Sequence, residues 1–231
     1  MKLFISHRHT FTAGVLLVAG SLFLHDLHLY PQLGASGAAL LAFLRLCLLA
    51  IPFACGMMIA RRLNFHRGLR SVLWLLWFLF LPYTIYSVAE IRHVAEACRL
   101  ETGAYTEVCV YDLWALYPVF IYALTGLLVY VFSVLQVATA TFRRSSPKRW
   151  FILGLTLFVA FASVFGLYSR MNVWNAVLHP ELFAAEVLAT LGAPNFLFNV
   201  VVFFLFTTAL TFTLHRLFYR AERFIFPKDK S

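Results

Sequence analysis

Six apolar stretches, separated by short polar segments, dominate the pattern of the chain. Each is long enough for the roughly 20-residue helix that crosses about 30 Å of hydrocarbon. The stretches lie near residues 11–29, 37–60, 70–90, 112–138, 150–169 and 195–215. This pattern predicts an all-α integral membrane bundle of six transmembrane helices. Because no segment between the spans is long enough to fold separately, residues 1–231 are expected to form a single polytopic membrane domain.

The composition agrees with that class. Hydrophobic residues make up 62% of the chain and charged residues 13%, whereas a soluble protein carries about a quarter charged residues. These values exclude disordered, collagen-like and disulfide-scaffold proteins. An aromatic content of 17%, with 25 Phe, fits a lipid-facing surface better than a platform that stacks nucleic-acid bases.

The positions of Lys and Arg predict the orientation. The N-terminal segment, the loop after the second span, the loop after the fourth span and the C-terminal tail contain two, four, four and five of them, which is 15 of the 19 in the chain. Cytoplasmic segments retain positive charge during insertion. Both termini are therefore predicted in the cytoplasm, with the first span uncleaved, and the basic side is expected to meet anionic lipid headgroups rather than nucleic acid.

Ionisable side chains gather at the opposite, outer ends of the spans, where an unpaired charge near hydrocarbon costs about 2.5 to 3.5 kcal/mol. Arg45 is the deepest of them, since it lies two to three turns inside the second span. It requires an anionic or carbonyl partner. Three carboxylates are candidates for a structural ion pair: Asp26, Glu90 and Asp112. The other interpretation is that Arg45 binds a phosphate or carboxylate of a substrate, and the same two interpretations hold for Arg170.

Glu90 and His93 are three residues apart, so a helix would present both on one face. Such a pair can act as general acid and base, or supply two ligands to a divalent metal. A metal would need Asp112, His28 or His179 to complete its ligand set. The third interpretation is a hydrogen-bonded pair with no chemistry. Haem is not expected, because the outer-side histidines lack the spacing of stacked ligands within one span.

Four side chains follow the fifth span: Arg170, Asn172, Trp174 and Asn175. Arg and amide groups donate to hydroxyl or phosphate oxygens, and an indole covers an apolar face. The string is typical of a site for a sugar or a headgroup. It is equally typical of an interfacial anchor, because Trp and Tyr concentrate at membrane interfaces.

A short helix is predicted next, near residues 180–191. Pro180 suits a first helical turn, and Glu181 lies near the positive end of the helix. We expect this helix to lie on the outer surface, as a cover over the mouth of the bundle. The alternative interpretation is a connecting loop that is merely amphipathic.

Two cysteines, Cys98 and Cys109, bracket the loop after the third span on the predicted outer side. An oxidising compartment allows a disulfide between them. Cys47 and Cys55 lie within the second span and are interpreted as small core residues.

Several motifs together resemble one family. They are Leu81-Pro82-Tyr83-Thr84-Ile85-Tyr86, Glu90 with His93, Tyr111-Asp112, Ala123-Leu124-Thr125-Gly126, Arg170-x-Asn172-x-Trp174-Asn175 and His179-Pro180. In these, the chain is similar to the uncharacterised bacterial multi-pass membrane family called domain of unknown function 1361, over roughly spans two to six. It departs from the family pattern where Tyr83 replaces Asn, Ile85 replaces Pro, and Glu90 and Asn175 each replace Asp.

The resemblance implies a bacterial cytoplasmic membrane protein whose outer-face polar residues form one constellation. Those residues are Glu90, His93, Asp112, Arg170, Asn172 and Trp174. A site that required carboxylates at both substituted Asp positions would be impaired, because Asn175 has none. The resemblance implies no activity.

Two functional hypotheses follow. In the first, the protein binds or modifies a lipid or lipid-linked envelope component from the outer leaflet. In this hypothesis Glu90, His93 and Asp112 act as acid-base or metal residues, while Arg45 and Arg170 hold an anionic group. In the second, it is a transporter or a structural or assembly subunit of a membrane complex, and its polar residues pair internally. The first is favoured because the inner halves of the spans offer few polar groups for a continuous path.

Overall fold

The computed structural model describes residues 17–24, 34–61, 65–89, 113–142, 144–169 and 178–225. These ranges contain helices and short connections, with no strand among them. The helices are α1 (Gly34–Ala60), α2 (Arg67–Ala89), α3 (Leu113–Thr141), α4 (Ser145–Ser169), α5 (Pro180–Leu191) and α6 (Phe196–Ile225). Residues 17–24 are also helical. The predicted all-α class is confirmed.

Five of these helices, α1, α2, α3, α4 and α6, are long and apolar enough to cross a membrane. They coincide with the second to sixth predicted spans. Of the first predicted span, 11–29, only residues 17–24 are described. The first span, and with it the total of six, therefore remains a prediction, as do the cytoplasmic position of both termini and the single domain over 1–231.

Three of the spanning helices contain an internal proline: Pro52 in α1, Pro82 in α2 and Pro118 in α3. Proline lacks the N–H that would donate to the carbonyl one turn earlier. Around Pro82 a side chain from another helix contributes a contact, because Ser163 Oγ of α4 donates to the Pro82 carbonyl at 3.3 Å. The three helices therefore accommodate proline within their length.

The chain groups into two compact units, and the division passes through α1, α2 and α3. One unit contains Met1–Ala54 and Tyr83–Tyr130, and the other contains Cys55–Pro82 and Val131–Ser231. A buried cluster lies within the first unit: Leu22, Ala42, Leu49 and Tyr122. Helical residues 17–24, α1 and α3 therefore share one apolar core.

In the second unit, α5 packs against the end of α4 and the start of α6. Its Phe183 and Val187 contact a buried cluster made by Val164, Phe165, Phe196 and Val200. The predicted bounds of this short helix are confirmed, with Pro180 in its first turn and Glu181 close behind. Leu188 of the same helix does not join this cluster and is 72% exposed. The position of α5 on the outer membrane surface remains a prediction.

Candidate functional site

Of the side chains that the sequence singles out, two lie within the described residues: Arg45 in α1, and His179, which is exposed and directly precedes α5. The other candidates lie outside the described residues: Asp26, Glu90, His93, Asp112, Arg170, Asn172, Trp174, Asn175, Cys98 and Cys109. Their proposed roles, including the disulfide between the last two, remain predictions. The site is therefore built from Arg45 outward.

Arg45 is the twelfth residue of α1 and lies between two leucines, Leu44 and Leu46. Eleven residues of helix separate it from Gly34, which corresponds to about 16 Å along the axis. The side chain is half-buried. The structure thus confirms that a permanently charged guanidinium lies well inside an apolar helix of membrane-spanning length.

The guanidinium of Arg45 lies over the ring of Tyr122, with 5.9 Å between Cζ and the ring centroid. That distance is within the range of a cation–π contact, which contributes about 2 kcal/mol when it is shielded from water. Tyr122 is only 2% exposed and belongs to the core cluster with Ala42 and Leu49. These two residues lie three before and four after Arg45, on the same face of α1. The packing of α1 on Tyr122 therefore directs Arg45 toward α3.

A second phenol completes the group, which we call the Arg–Tyr–Tyr site (Arg45, Tyr122 and Tyr83). Tyr122 Oη donates a hydrogen bond to Tyr83 Oη, with 3.1 Å between the oxygens. Tyr83 is half-buried, packs against the same core cluster and directly follows Pro82 in α2. One cationic group and two phenol hydroxyls from three helices thus come together.

Gly126 explains how α2 and α3 approach closely enough for the two phenols to meet. It lies one turn after Tyr122, and a Cβ at this position would clash with the carbonyl oxygen of Thr84 and with Ser87 Oγ. Ser87 Oγ itself donates to that carbonyl at 2.6 Å, and both residues are fully buried. Glycine is therefore required by a backbone contact one residue from Tyr83.

The helices that form the Arg–Tyr–Tyr site contain no carboxylate. The sequence has no Asp or Glu between Asp26 and Glu90, and none between Asp112 and Glu181. A charge that balances Arg45 must therefore come from an acid that flanks the spans or from a bound anion. Among the described residues no group of three His, Cys, Asp or Glu is placed to hold a metal ion. Since a guanidinium is not deprotonated in proteins, the site is suited to binding an anion rather than to transferring a proton.

A neutral polar site lies in the second unit. Trp77 Nε1 of α2 donates to Ser133 Oγ of α3 at 2.7 Å, and the two residues are 1% and 0% exposed. Gly56 of α1 lies against the same pair, because a Cβ there would clash with Ser133 Oγ and approach Trp77 Nε1 to 3.2 Å. Sequence reasoning missed this site, since a lone Ser or Trp in an apolar span carries no functional signal.

Near the start of the Arg170–Asn175 string, Tyr168 links the end of α4 to the start of α6. Its hydroxyl accepts a hydrogen bond from Asn199 Nδ2 at 2.7 Å and lies 3.5 Å from the Pro194 carbonyl. The intervening turn includes Asn195, which has a φ of 64°, a left-handed conformation that Asn tolerates better than most residues. Tyr168, two positions before Arg170, is thus hydrogen-bonded both to α6 and to the turn that precedes α6.

Comparison with known proteins gives a family match. The model described as "Protein of unknown function (DUF1361)" matches residues 44–211, from just before Arg45 into α6. The match confirms the resemblance that the motifs indicate. No match was found among curated proteins or among solved structures. The chain therefore belongs to the DUF1361 family, and its apolar helices identify it as a multi-pass membrane protein of unassigned activity.

Proposed function

We propose that this protein binds an anionic group of a lipid or lipid-linked envelope component at the outer leaflet of a bacterial cytoplasmic membrane, and that Arg45 holds that group. The observation that carries the proposal is the position of Arg45 against the ring of Tyr122, in helices that contain no carboxylate. Maintaining such a charge within an apolar span is costly unless it is used or neutralised.

The geometry suits recognition of a phosphate or carboxylate. A guanidinium has five N–H donors in a planar fork and can bind two oxygens of one anion. Contact with the ring of Tyr122 limits the movement of Arg45, while the hydrogen bond to Tyr83 fixes Tyr122. The tyrosines thus act as positioning residues for the cation, which lowers the ordering cost of binding.

Flanking residues extend the proposal from binding to chemistry. Glu90 is the next residue in the sequence after α2, and Asp112 directly precedes α3. With His93 they would act on a group adjacent to the bound anion, either as general acid and base or as ligands of a divalent metal. Arg170, Asn172, Trp174, Asn175 and Asp26 would contact hydroxyl or phosphate oxygens of the same ligand.

Lipid retention tests the binding role. The wild-type protein and the Arg45→Gln variant are purified in mild detergent, and their bound lipids are extracted and identified by mass spectrometry. The matched control is Arg61→Gln, which removes the same charge from the exposed position directly after α1. We expect one anionic lipid or lipid-linked species to be depleted about tenfold in Arg45→Gln, as loss of a contact to a charged group implies, and to be unchanged in the control.

Two results would contradict the proposal. Equal lipid profiles in all three proteins would show that Arg45 does not hold a lipid. An unchanged profile together with a lower unfolding temperature of Arg45→Gln would show that the arginine stabilises the fold. Such a pair of results would favour a transporter or a structural or assembly subunit whose polar residues pair internally.

Elemental analysis distinguishes the two chemical roles. The wild-type protein, Glu90→Ala and His93→Ala are purified without chelator, with Glu181→Ala on the exposed first turn of α5 as the control. A metal role predicts about one divalent ion per chain in the wild type and in the control, and its loss from the other two variants. Equal ion content in all four proteins would exclude Glu90 and His93 as metal ligands.

A further inference from the structure

A second anion-binding feature lies at the start of α2, apart from the Arg–Tyr–Tyr site. An open cavity of about 490 Å³ is lined by Arg67, Arg70, Ser71 and Trp74. Positions 67, 70, 71 and 74 recur at the spacing of one helical face, so their side chains project to the same side of α2.

The depth of the cavity matches the headgroup layer of a membrane. Seven residues separate Arg67 from Trp74, which is about 10 Å of helix, and the apolar part of the span begins at Val72. The headgroup layer is roughly 5 to 8 Å thick on each side of the hydrocarbon. The cavity therefore begins among headgroups and ends, at the indole of Trp74, near the edge of the acyl chains.

The charge of the cavity selects an anion. Arg67 and Arg70 are both exposed, and no acidic residue occurs between Asp26 and Glu90, a stretch that covers all of α1 and α2. The positive end of the dipole of α2 adds to the same potential. Ser71 Oγ donates to the Arg67 carbonyl at 3.2 Å, so the hydroxyl fixes the first turn of the helix. Two exposed guanidinium groups thus line one open cavity.

The apolar wall of the cavity is attached to the buried core. Trp74 is half-buried and contacts Trp77 edge to face, with ring centroids 5.5 Å apart. Trp77 in turn donates its hydrogen bond to Ser133 within the neutral polar site. The indole of Trp74 is therefore held in place. Its ring can lie beside the glycerol backbone, where the polar headgroup meets the acyl chains, while the arginines hold the phosphate.

We propose that this face of α2 binds the headgroup phosphate of an anionic phospholipid. The phosphate contacts Arg67 and Arg70, and the glycerol backbone lies against Trp74. This site concerns the basic end of α2 and is independent of the proposed function of Arg45.

The test uses the full chain in bilayer nanodiscs of equal parts phosphatidylglycerol and phosphatidylcholine. The lipids that remain bound after gentle detergent extraction are counted by native mass spectrometry. We expect the wild type to be enriched in phosphatidylglycerol, and the double variant Arg67→Gln/Arg70→Gln to lose about tenfold of that enrichment. The matched control is Arg144→Gln/Arg149→Gln, which removes two exposed arginines beside another exposed tryptophan, Trp150, at the start of α4.

Three outcomes would overturn the proposal. An equal loss in both double variants would indicate general attraction to a negative surface. Displacement of phosphatidylglycerol by millimolar glycerol 3-phosphate or inorganic phosphate would assign the cavity to a free phosphate. If Arg67→Gln/Arg70→Gln elutes as aggregated protein in size-exclusion chromatography, the two arginines support the fold.

Discussion

Two polar sites among α1, α2 and α3 are built alike and differ in charge. The Arg–Tyr–Tyr site joins Arg45, Tyr122 and Tyr83, and the neutral site joins Trp77 and Ser133. A glycine lies beside each site, Gly126 beside the first and Gly56 beside the second, and a Cβ at either would clash with a neighbouring helix. The neutral pair matches one donor to one acceptor, whereas the charged site contains a guanidinium in helices that have no carboxylate.

Under the proposed function, this difference corresponds to a structural role at the neutral site and a binding role at Arg45. A buried indole that donates to a hydroxyl within the protein is satisfied without any ligand. A half-buried cation within an apolar span is retained at a cost, and α1, α2 and α3 contain no carboxylate to balance it. The comparison therefore predicts that changes at the neutral site alter the stability of the fold, whereas changes at Arg45 alter what the protein binds.

The largest effect is expected at Gly126, because it sets the close contact of α2 and α3 beside the Arg–Tyr–Tyr site. In Gly126→Ala the new Cβ meets the Thr84 carbonyl oxygen, a backbone atom that cannot rotate away. In Gly56→Ala it meets the side-chain atoms of Ser133 and Trp77, which can shift. We expect Gly126→Ala to destabilise the protein by about 3 kcal/mol and Gly56→Ala by about 1 kcal/mol. The free energy of unfolding in a detergent titration measures both.

The control for these variants is Gly154→Ala in α4, where a Cβ would meet nothing within 4 Å. An alanine there should be neutral or slightly stabilising, because glycine is a poor helix former. A larger loss at Gly56 than at Gly126 would mean that the backbone contact at Thr84 does not limit the approach of α2 and α3.

Local patterns predicted the spans, and tertiary contacts account for most of what they missed. Hydropathy located the spans because each is a local run of apolar residues, but it ended the last span near 215 while α6 continues to Ile225. Arg216, Arg220 and Arg223 favour helix, and a hydropathy window does not detect a helix beyond the hydrocarbon.

Arg45 was predicted as a site residue because a single intramembrane charge is visible in the sequence. Its neighbours were not predicted. Tyr122 and Tyr83 are 39 residues apart, and Trp77 and Ser133 are 56 apart. Periodicity within one helix does not report which side chains of different helices meet. The glycine at Gly126 was noted within a family motif, but its contact with Thr84 depends on the helix packing.

The next effect in size is expected for the neutral pair. A double-mutant cycle with Trp77→Phe and Ser133→Ala isolates the energy of their hydrogen bond from the loss of packing. Because both residues are fully buried and the bond is 2.7 Å long, we expect a coupling near the upper end of membrane values, about 1.7 kcal/mol. The lipid profile should not change in any of the variants. A change in bound lipid would remove the distinction between the two sites.

Arg45→Leu tests whether Arg45 serves binding or stability, because the two roles predict changes of opposite sign in the free energy of unfolding. Leucine is favoured over arginine in hydrocarbon by about 3 kcal/mol, while loss of the contact with Tyr122 costs about 2 kcal/mol. We expect a net stabilisation of about 1 kcal/mol in unfolding titrations, together with depletion of the bound anionic lipid. A structural ion pair predicts the opposite sign, because removal of one partner of a buried pair destabilises by about 3 to 5 kcal/mol. Arg61→Leu at the exposed end of α1 controls for the change of side chain.

The smallest effect is expected for the two phenols. In a cycle of Tyr83→Phe and Tyr122→Phe, the hydrogen bond between them is lost while both rings remain, so the ring beneath Arg45 is retained. The bond is 3.1 Å long and Tyr83 is only half-buried, so we expect a coupling of about 0.6 kcal/mol. Lipid retention should nevertheless decrease in Tyr83→Phe, because Tyr122 would lose the partner that fixes its position. A coupling as large as that of Trp77 with Ser133, with retention unchanged, would mean that the phenols stabilise the helix packing and contribute nothing to anion binding.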